Sequence, residues 1–451
     1  MKQRDGRHGR APRVEERRGE GGERREAGAR QAVGTDDGRI SHRTESRSKR
    51  YAMTSEDPTS APESNFDECT TQIPILDIRQ WESDPKAFAE QLRSACHNIG
   101  FFLLKHDLSP DLVRAQLAEC RQFFDRPVEE KLTISYDTSP SFRGYMEVGV
   151  ENTGGIVDVR EQVEFATEYP EKKPSCSSFS ISRPYERLKS PTNPYPDSTQ
   201  PSLRQCSEEY VGGALDVARR LREAMCIALG LDRTALNYLF GEVGKQDSSG
   251  LNNEDPLHWV MKLISYPPAT GASTKEQGVG AHTDTNFLTL VLQDYSGGLQ
   301  VHSNGVWIDV PAKYGPDLFV CNLGEQAEII SKGYFLATPH RVMRNTGREP
   351  RISVALFYNP KLSSVVEPIC TDTNGEEEQP KQWKNKLEWE RSEGKSECWK
   401  MKGNAHLQCV GANTFKSLAR SHPEVFAKNH PDLVLLANGE IVPVSRNATP
   451  S

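Results

Sequence analysis

The sequence has no apolar run long enough to cross a bilayer, and it lacks the apolar segment of a secretory signal. Its ten cysteines include no Cys-X-X-Cys pair, a spacing typical of zinc sites and thiol oxidoreductases. We therefore expect reduced thiols in a cytoplasmic protein. The net charge of −7 gives no sign of nucleic-acid binding. Neither a membrane nor a nucleic acid is expected as a partner.

Charge is unevenly distributed along the chain. Residues 1–50 contain fifteen Lys and Arg against nine Asp and Glu, with few apolar residues. Such a segment cannot bury enough surface to become ordered, so residues 1–70 are predicted to be a disordered basic tail. The tail is either a targeting or RNA-binding arm or a solvated extension, and the second reading is favoured. A further hypothesis places the true start at Met53, and a native peptide from before Met53 would exclude it.

A histidine and an aspartate two positions apart, His282 and Asp284, lie in the most informative stretch of the sequence. On a β-strand, alternate side chains project to the same face, so the two would point at a common position. His340 begins another strand-like run and is the expected third ligand. Two histidines and one carboxylate form the facial triad of non-haem Fe(II) oxygenases, which leaves coordination positions open. An isolated His-X-Asp is usually accidental, so the interpretation depends on all three residues.

The segment from Arg351 to Tyr358 alternates between two kinds of side chain. One face carries Arg351, Ser353 and Phe357, whereas the other is entirely apolar or aromatic and predicts a core face. An arginine on a buried wall needs a partner, because burying an unpaired charge is costly. A dicarboxylate held in bidentate fashion by the guanidinium would provide one.

These motifs resemble those of the isopenicillin N synthase-like class of 2-oxoglutarate and Fe(II)-dependent dioxygenases. Further matching segments follow in the order typical of that class: Tyr266-Pro267-Pro268, Leu288–Asp294, Gly297–Val301, Trp307–Pro311, Asn322–Gly324 and Phe357–Pro360. One position departs from the pattern. Ile264 stands where many plant members carry an asparagine, which removes a polar group near the cofactor.

The resemblance implies a set of ligands and a reaction. Fe(II) would be bound by His282, Asp284 and His340, and the co-substrate 2-oxoglutarate by Arg351, Ser353 and Tyr266, with O2 at a remaining metal position. The enzyme would hydroxylate or desaturate a small organic molecule while converting 2-oxoglutarate and O2 to succinate and CO2. No separate acid, base or nucleophile is expected among the side chains.

Three residues are candidate substrate contacts. Arg143 and Tyr145 fall in a segment that resembles the one crossing the mouth of the active site in this class, although a surface turn is an equally good interpretation. Phe357 resembles the position where members that handle aromatic substrates stack a ring.

The fold expected from the resemblance and the strand pattern is mainly β with flanking α. A double-stranded β-helix, or jelly roll, would form the core at residues 260–360, with a cavity between its sheets. An α/β N-terminal dioxygenase region is expected at 71–175, a loop and backing helices at 176–259, and a C-terminal extension at 361–451. We expect a monomer.

The C-terminal extension contains a charged stretch, Glu376–Lys402, with Trp383, Trp389 and Trp399. It would form either a helix covering the barrel mouth or a surface extension. A further helix is predicted from Thr414, and His422 and His430 are expected at the surface or at helix ends.

Two other functions remain open at this point. The chain could be an iron oxidase that does not use 2-oxoglutarate and binds a substrate carboxylate at Arg351, as isopenicillin N synthase-like members do. It could also be a non-catalytic relative that binds a ligand. Oxygen-dependent release of succinate would distinguish the dioxygenase from the iron oxidase. Binding of iron would distinguish it from the non-catalytic relative.

Overall fold

The computed structural model describes residues 73–153, 155–170, 183–241, 255–269, 277–369, 386 and 406–444. All of them belong to the unit formed by residues 66–451. The predicted tail at 1–70 and the tryptophan-containing stretch, apart from Lys386, lie outside the described residues.

The described strands are β1 Ile75–Asp77, β2 Phe101–Lys105, β3 Gly144–Met146, β4 Asn152–Thr153, β5 Ile156–Val157, β6 Glu161–Ala166, β7 His258–Tyr266, β8 Val279–His282, β9 Leu288–Gln293, β10 Leu299–Ser303, β11 Val306–Asp309, β12 Leu318–Leu323, β13 His340–Val342, β14 Arg351–Asn359, β15 Leu433–Leu435 and β16 Ile441–Pro443. They form two main sheets, which are antiparallel except for the pairing of β1 with β2. The larger sheet has the order β1-β2-β12-β9-β14-β7-β6-β3, and the smaller has the order β11-β10-β13-β8.

The sheet-rich core with flanking helices confirms the predicted fold class, and the described residues between 258 and 359 contain eight strands, β7 to β14. The larger sheet also takes in β2, which pairs with β12, and β6, which pairs with β7. The predicted N-terminal region and the predicted jelly roll therefore share one continuous sheet.

One predicted strand is wrong at the position that matters most. The strand expected to carry both His282 and Asp284 ends at His282. Beyond that residue the backbone leaves the sheet, and the carbonyl of Asp284 accepts a hydrogen bond of 2.8 Å from the amide of Glu325. The alternation of a strand therefore does not explain why Asp284 and His282 lie together.

Helices Pro110–Phe124 and Pro201–Ala228 pack against strands of the larger sheet. The described helices are Gln80–Ser83, Pro85–Asn98, Pro110–Phe124, Val128–Lys131, Pro201–Ala228, Asn237–Phe240, Glu325–Ile330, Val410–Ser421 and Pro423–Asn429, with short 3₁₀ turns at Leu132–Ile134, Tyr136–Thr138, Pro184–Leu188 and Ala312–Asp317. The helix Pro110–Phe124 begins with a regular N-cap, since the hydroxyl of Ser109 accepts a hydrogen bond from the amide of Asp111 and proline follows the cap.

Strand β14 is buried on both of its faces. Ile352, Val354 and Leu356 pack into the core beneath the helices, as their alternation predicts, and each is at most 1% exposed. Ala355 and Phe357 pack into a second cluster that lies between the two sheets. The face that carries Arg351 is therefore an inner wall of the barrel, where a charge needs a partner.

The C-terminal helices differ from the prediction in two respects. The helix expected from Thr414 begins at Val410. His422 and His430 occupy the predicted positions at the two ends of Pro423–Asn429, but they are buried, so the surface alternative is wrong. No helix in the described part of the chain has the length and apolar character needed to cross a membrane.

Candidate metal centre and its cavity

Three predicted ligands meet at one place on the inner face of the smaller sheet. His340 on β13 is the strand partner of His282 on β8, so pairing of these strands brings two distant parts of the chain together. The Oδ1 atom of Asp284 lies 3.6 Å from Nε2 of His282 and 3.7 Å from Nε2 of His340. One ligand atom from each of the three side chains lies within 4.8 Å of the others, a spacing suited to one metal ion.

Backbone carbonyls orient both imidazoles. Nδ1 of His282 lies 2.8 Å from the carbonyl oxygen of Gly280, and Nδ1 of His340 lies 3.1 Å from that of Thr338. A carbonyl only accepts hydrogen bonds, so each Nδ1 carries the proton and donates it. The Nε2 lone pairs are therefore directed to the common point, which is the arrangement that metal-binding histidines use.

The carboxylate of Asp284 is oriented in the same manner. Its Oδ2 atom accepts hydrogen bonds from the Thr289 hydroxyl at 2.6 Å and from the Asn322 amide at 2.7 Å. Oδ1 remains directed towards the imidazoles. Neither Thr289 nor Asn322 was assigned a role from the sequence, where each occurs only within a matching segment. The sequence feature that could have identified both residues is a polar side chain within a mostly apolar strand.

The electrostatics of the trio favour binding of a cation. Burial, and then the neighbouring His340, lower the pKa of His282 to about 3, so its imidazole is neutral at ordinary pH. Burial alone would raise the pKa of Asp284, but the two histidines and the two hydrogen-bond donors lower it below its usual value. A neutral imidazole and an ionised carboxylate are the forms in which these side chains bind a divalent metal.

A buried carboxylate also holds strand β8 in place. Oδ1 of Asp158 accepts hydrogen bonds from the amide of Gly280 at 3.2 Å and from the side chain of Gln277 at 3.0 Å. A Cβ atom at position 280 would lie 2.5 Å from the Gln277 amide and 2.7 Å from Cβ of Thr153. Glycine is therefore required where this strand approaches the hairpin of β4 and β5.

Arg351 lies on the facing wall of the larger sheet and is 3% exposed. Its guanidinium donates to the Ser353 hydroxyl at 3.3 Å and to the side-chain oxygen Oε1 of Gln293 at 3.1 Å. It also lies 4.8 Å from the centre of the Tyr266 ring. Its buried Nε has no hydrogen-bond partner among the described residues. The three predicted residues are thus brought together, with donor capacity left for an anion. Gln293, which was not assigned a role from the sequence, lies beside them on the neighbouring strand β9.

A cavity of about 480 Å³ adjoins His282 and Asp284. Phe357 lines it, as do Ile264, Thr283 and Leu418. Its charged lining residues come from the hairpin of β4 and β5 and from the strands of the larger sheet: Arg143, Glu151, Asp158, Arg160, Glu164 and Lys262. A polar and charged wall of this kind was not expected from the sequence.

The two other candidate substrate contacts occupy different places. Arg143 lines the cavity, but its guanidinium donates to the Thr167 carbonyl at 2.6 Å and to the Asn193 side chain at 3.1 Å, and burial lowers its pKa to about 10. Tyr145 is not among the described residues that line the cavity, because its hydroxyl donates to Glu161 and its ring packs against Phe123 in the core. The expected contact of Tyr145 with substrate is therefore corrected.

Comparison with known families and structures agrees with this geometry. Residues 73–187 match the model of the non-haem dioxygenase in morphine synthesis N-terminal region, and residues 253–360 match that of the 2OG-Fe(II) oxygenase superfamily. The homoarginine-6-hydroxylase 2-ODD-C23.1 of Arabidopsis thaliana is 34% identical over 315 residues, covering 66% of this chain and 87% of that relative. A homoarginine-6-hydroxylase of Glycine max is 31% identical, covering 67% and 89%.

Solved structures show the same fold. The crystal structure of JOX2 in complex with 2OG, Fe and JA is 26% identical with a TM-score of 0.52, covering 69% of this chain and 81% of that one. A 2OG-Fe(II) oxygenase family protein from Caulobacter crescentus has a TM-score of 0.55 at 21% identity, covering 72% and 99%, and supports the jelly-roll fold alone. The chain therefore belongs to the 2OG-Fe(II) oxygenase superfamily, as a 2-oxoglutarate- and Fe(II)-dependent dioxygenase that oxidises a small organic molecule.

Proposed function

We propose that His282, Asp284 and His340 hold the Fe(II) of this dioxygenase. The observation that carries the assignment is the convergence of Nε2, Oδ1 and Nε2, while the other polar atom of each side chain is engaged by a hydrogen bond. With three protein ligands on one side of the ion, positions remain for the co-substrate and oxygen. A closed structural site would use a fourth ligand instead.

The co-substrate is assigned to the wall that carries Arg351. The unpartnered Nε of Arg351, the Ser353 hydroxyl and the Tyr266 side chain form a buried group of donors that fits the far carboxylate of 2-oxoglutarate. Gln293 orients the guanidinium from the neighbouring strand. When bound, iron and 2-oxoglutarate supply the oxidising chemistry and yield succinate and CO2.

The chain itself positions the reactants and keeps water away. The paired strands β8 and β13 hold the two imidazoles in register, and Thr289 with Asn322 fixes the carboxylate. Phe357 and Ile264 present apolar surface along the cavity wall beside these groups. Orientation and exclusion of water are the contributions that a protein makes when a cofactor carries the difficult chemical step.

Iron binding and succinate release test this assignment. Wild-type protein is loaded with Fe(II) and 2-oxoglutarate under anaerobic conditions, and bound metal and oxygen-dependent succinate are measured. His340→Ala should lose both. His302→Ala, which removes an imidazole from the same sheet but outside the trio, should retain both. Full iron binding by His340→Ala would show that the trio is not the metal site.

The primary substrate is proposed by comparison with relatives. Two of the similar curated proteins are named homoarginine-6-hydroxylases, so L-homoarginine is the first compound to test by substrate-stimulated succinate release. An absence of stimulation would remove it from consideration without affecting the metal assignment.

The remaining expectations concern the state of the protein in the cell. We propose a cytoplasmic monomer, consistent with the net charge of −7 and the free buried cysteines Cys96, Cys120, Cys226 and Cys321. Light scattering and cell fractionation test the two parts of this proposal.

A further inference from the structure

Four side chains of alternating charge line the cavity beside the metal trio: Glu151, Arg160, Glu164 and Lys262, here called the charged quartet. Glu164 on β6 and Lys262 on β7 are direct strand partners, and their charged atoms lie 2.6 Å apart. Arg160 forms an ion pair with Glu151 and lies 3.6 Å from Asp158. The side chains of the quartet are between 7% and 20% exposed.

The pKa values of Glu151, Arg160 and Lys262 are shifted in the direction that favours their charged forms, and Glu164 forms an ion pair with Lys262. Burial alone would raise the pKa of Glu151, but the charges of Arg160 and Lys262 lower it below its usual value. Burial alone would lower the pKa of Lys262, and Glu164 and Glu151 raise it instead. The quartet is therefore a fixed array of two positive and two negative charges on one wall.

Such an array is a poor way to stabilise a fold. Removing charges from water costs more than their mutual attraction usually returns, and well-packed apolar residues are often at least as stable. The Nε atom of Arg160 is also buried without a hydrogen-bond partner in the described part of the chain. An unused donor on a cavity wall indicates a ligand that supplies an acceptor.

Within the quartet, Lys262 lies in a part of the cavity that 2-oxoglutarate anchored at Arg351 would not reach. Strand pairing places Arg351 beside Tyr266, and Lys262 lies four residues further along β7. At the rise of an antiparallel strand this separation is about 13 Å, longer than a five-carbon diacid anchored at Arg351. Lys262 instead lies 5.8 Å above the ring of Phe357, where the primary substrate is expected.

We propose that the charged quartet recognises the head group of a free α-amino acid. Lys262 and Nε of Arg160 bind the carboxylate, and Glu164 and Glu151 bind the ammonium group, so each charge of the ligand meets its opposite. The side chain of the amino acid extends towards His282 and Asp284. This proposal rests on the function proposed above, because it places the substrate relative to the assigned iron and 2-oxoglutarate sites.

Neutral compounds and simple acids would be poor ligands for this wall. A neutral ring would leave four buried charges without new partners, and a site built for polar contacts discriminates strongly against analogues that lack them. An acid without an ammonium group would satisfy Lys262 but leave Glu164 facing a ligand of the same sign. Both charges of the head group are therefore required for tight binding.

The test measures binding to the full chain loaded with Mn(II) and 2-oxoglutarate, since Mn(II) avoids turnover. Titration calorimetry is carried out with L-homoarginine and the common L-amino acids. The best ligand is then compared with its Nα-acetylated and its decarboxylated derivatives. Removal of either charge should weaken binding at least about tenfold, the effect of losing one charge-assisted hydrogen bond. Equal affinity for the derivatives, or no binding by any amino acid, overturns the proposal.

Variants separate recognition from folding. Glu164→Gln and Lys262→Met should each weaken binding of the amino acid at least about tenfold, while the affinity for 2-oxoglutarate stays unchanged. Glu161→Gln is the matched control, because Glu161 lies on the same strand and pairs with Lys131 but does not line the cavity. Unchanged amino-acid affinity in Glu164→Gln and Lys262→Met contradicts the proposal. Failure of the wild type to bind 2-oxoglutarate contradicts the assigned oxoacid site instead.

Discussion

The Oδ1 atom of Asp284 lies 3.7 Å from Nε2 of His340, and the other carboxylate oxygen of Asp284 is held by Thr289 and Asn322. The contact joins a residue that has just left strand β8 to one that begins strand β13. Because β8 and β13 pair with each other, folding of the smaller sheet brings these candidate ligands together.

Binding of metal should stabilise the folded chain through this trio. At a free Mn(II) concentration of about 100 times the dissociation constant, linkage predicts about 2.7 kcal/mol of added stability. Asp284→Ala should show no such increase, because only two ligands remain. Denaturant unfolding of both proteins, with Mn(II) and with a chelator, measures the difference. A metal-dependent increase of equal size in Asp284→Ala would mean that the stabilising ion binds elsewhere.

Orientation of the carboxylate should matter as well as its presence. Thr289→Val removes the donor at 2.6 Å from Oδ2 of Asp284 while nearly preserving side-chain volume. We expect metal affinity to fall about 10- to 100-fold, as is usual when a partner of a metal ligand is lost. Thr285→Val, at an exposed position next to Asp284, is the control. Metal titration should show a loss in the first variant alone, and equal affinities would exclude a positioning role for Thr289.

Arg351→Lys tests the oxoacid assignment. Lysine keeps the positive charge but replaces the planar fork with a point charge, so it cannot form the same pair of bonds with a carboxylate. Loss of one charge-assisted bond costs roughly 1.5–3 kcal/mol, which corresponds to about a ten- to hundredfold weaker affinity for 2-oxoglutarate. Metal affinity should not change. Arg204→Lys, at a surface arginine, is the control, and an unchanged oxoacid affinity in Arg351→Lys would place the diacid elsewhere.

The meeting of His282, Asp284 and His340 and the strands of the barrel could be predicted from the sequence, because these features depend on local patterns and on motifs with a recognisable order. The strand reasoning was wrong for Asp284, which reaches the site from a loop held by Glu325. Gln293 could not be assigned from the sequence, since its contact with Arg351 depends on the pairing of β9 with β14. Pairing between strands that are distant in the chain leaves no local signal in either segment.

The charged quartet escaped prediction for a related reason. Glu164 and Lys262 look like ordinary surface charges in isolation, and only the pairing of β6 with β7 turns both towards the cavity. Tyr145 was misplaced because a short strand between turns can direct an aromatic ring either to a pocket or to the core. Here Phe123 and Glu161 supply both an apolar and a polar partner within the core.

A buried ion pair beneath the segment leading to His340 provides a stability prediction. Lys386 and Glu328 lie 2.7 Å apart and are at most 1% exposed, and Glu328 also accepts a hydrogen bond from the amide of Ala337. Glu328→Gln removes the carboxylate that lies 2.7 Å from the buried ammonium group, so we expect a loss of up to roughly 3–5 kcal/mol in the free energy of unfolding.

The double variant Glu328→Gln/Lys386→Met should recover much of that loss, because it removes both charges of the pair. Denaturant unfolding of the two single variants and the double variant gives the coupling energy between the side chains. Lys428→Met is the control, since Lys428 and Asp137 form a pair that is about half exposed and should contribute at most about 1 kcal/mol. If Glu328→Gln were no more destabilising than this control, the pair would not anchor the segment before His340. In that case strand pairing with β8 and β10 would hold the imidazole in place.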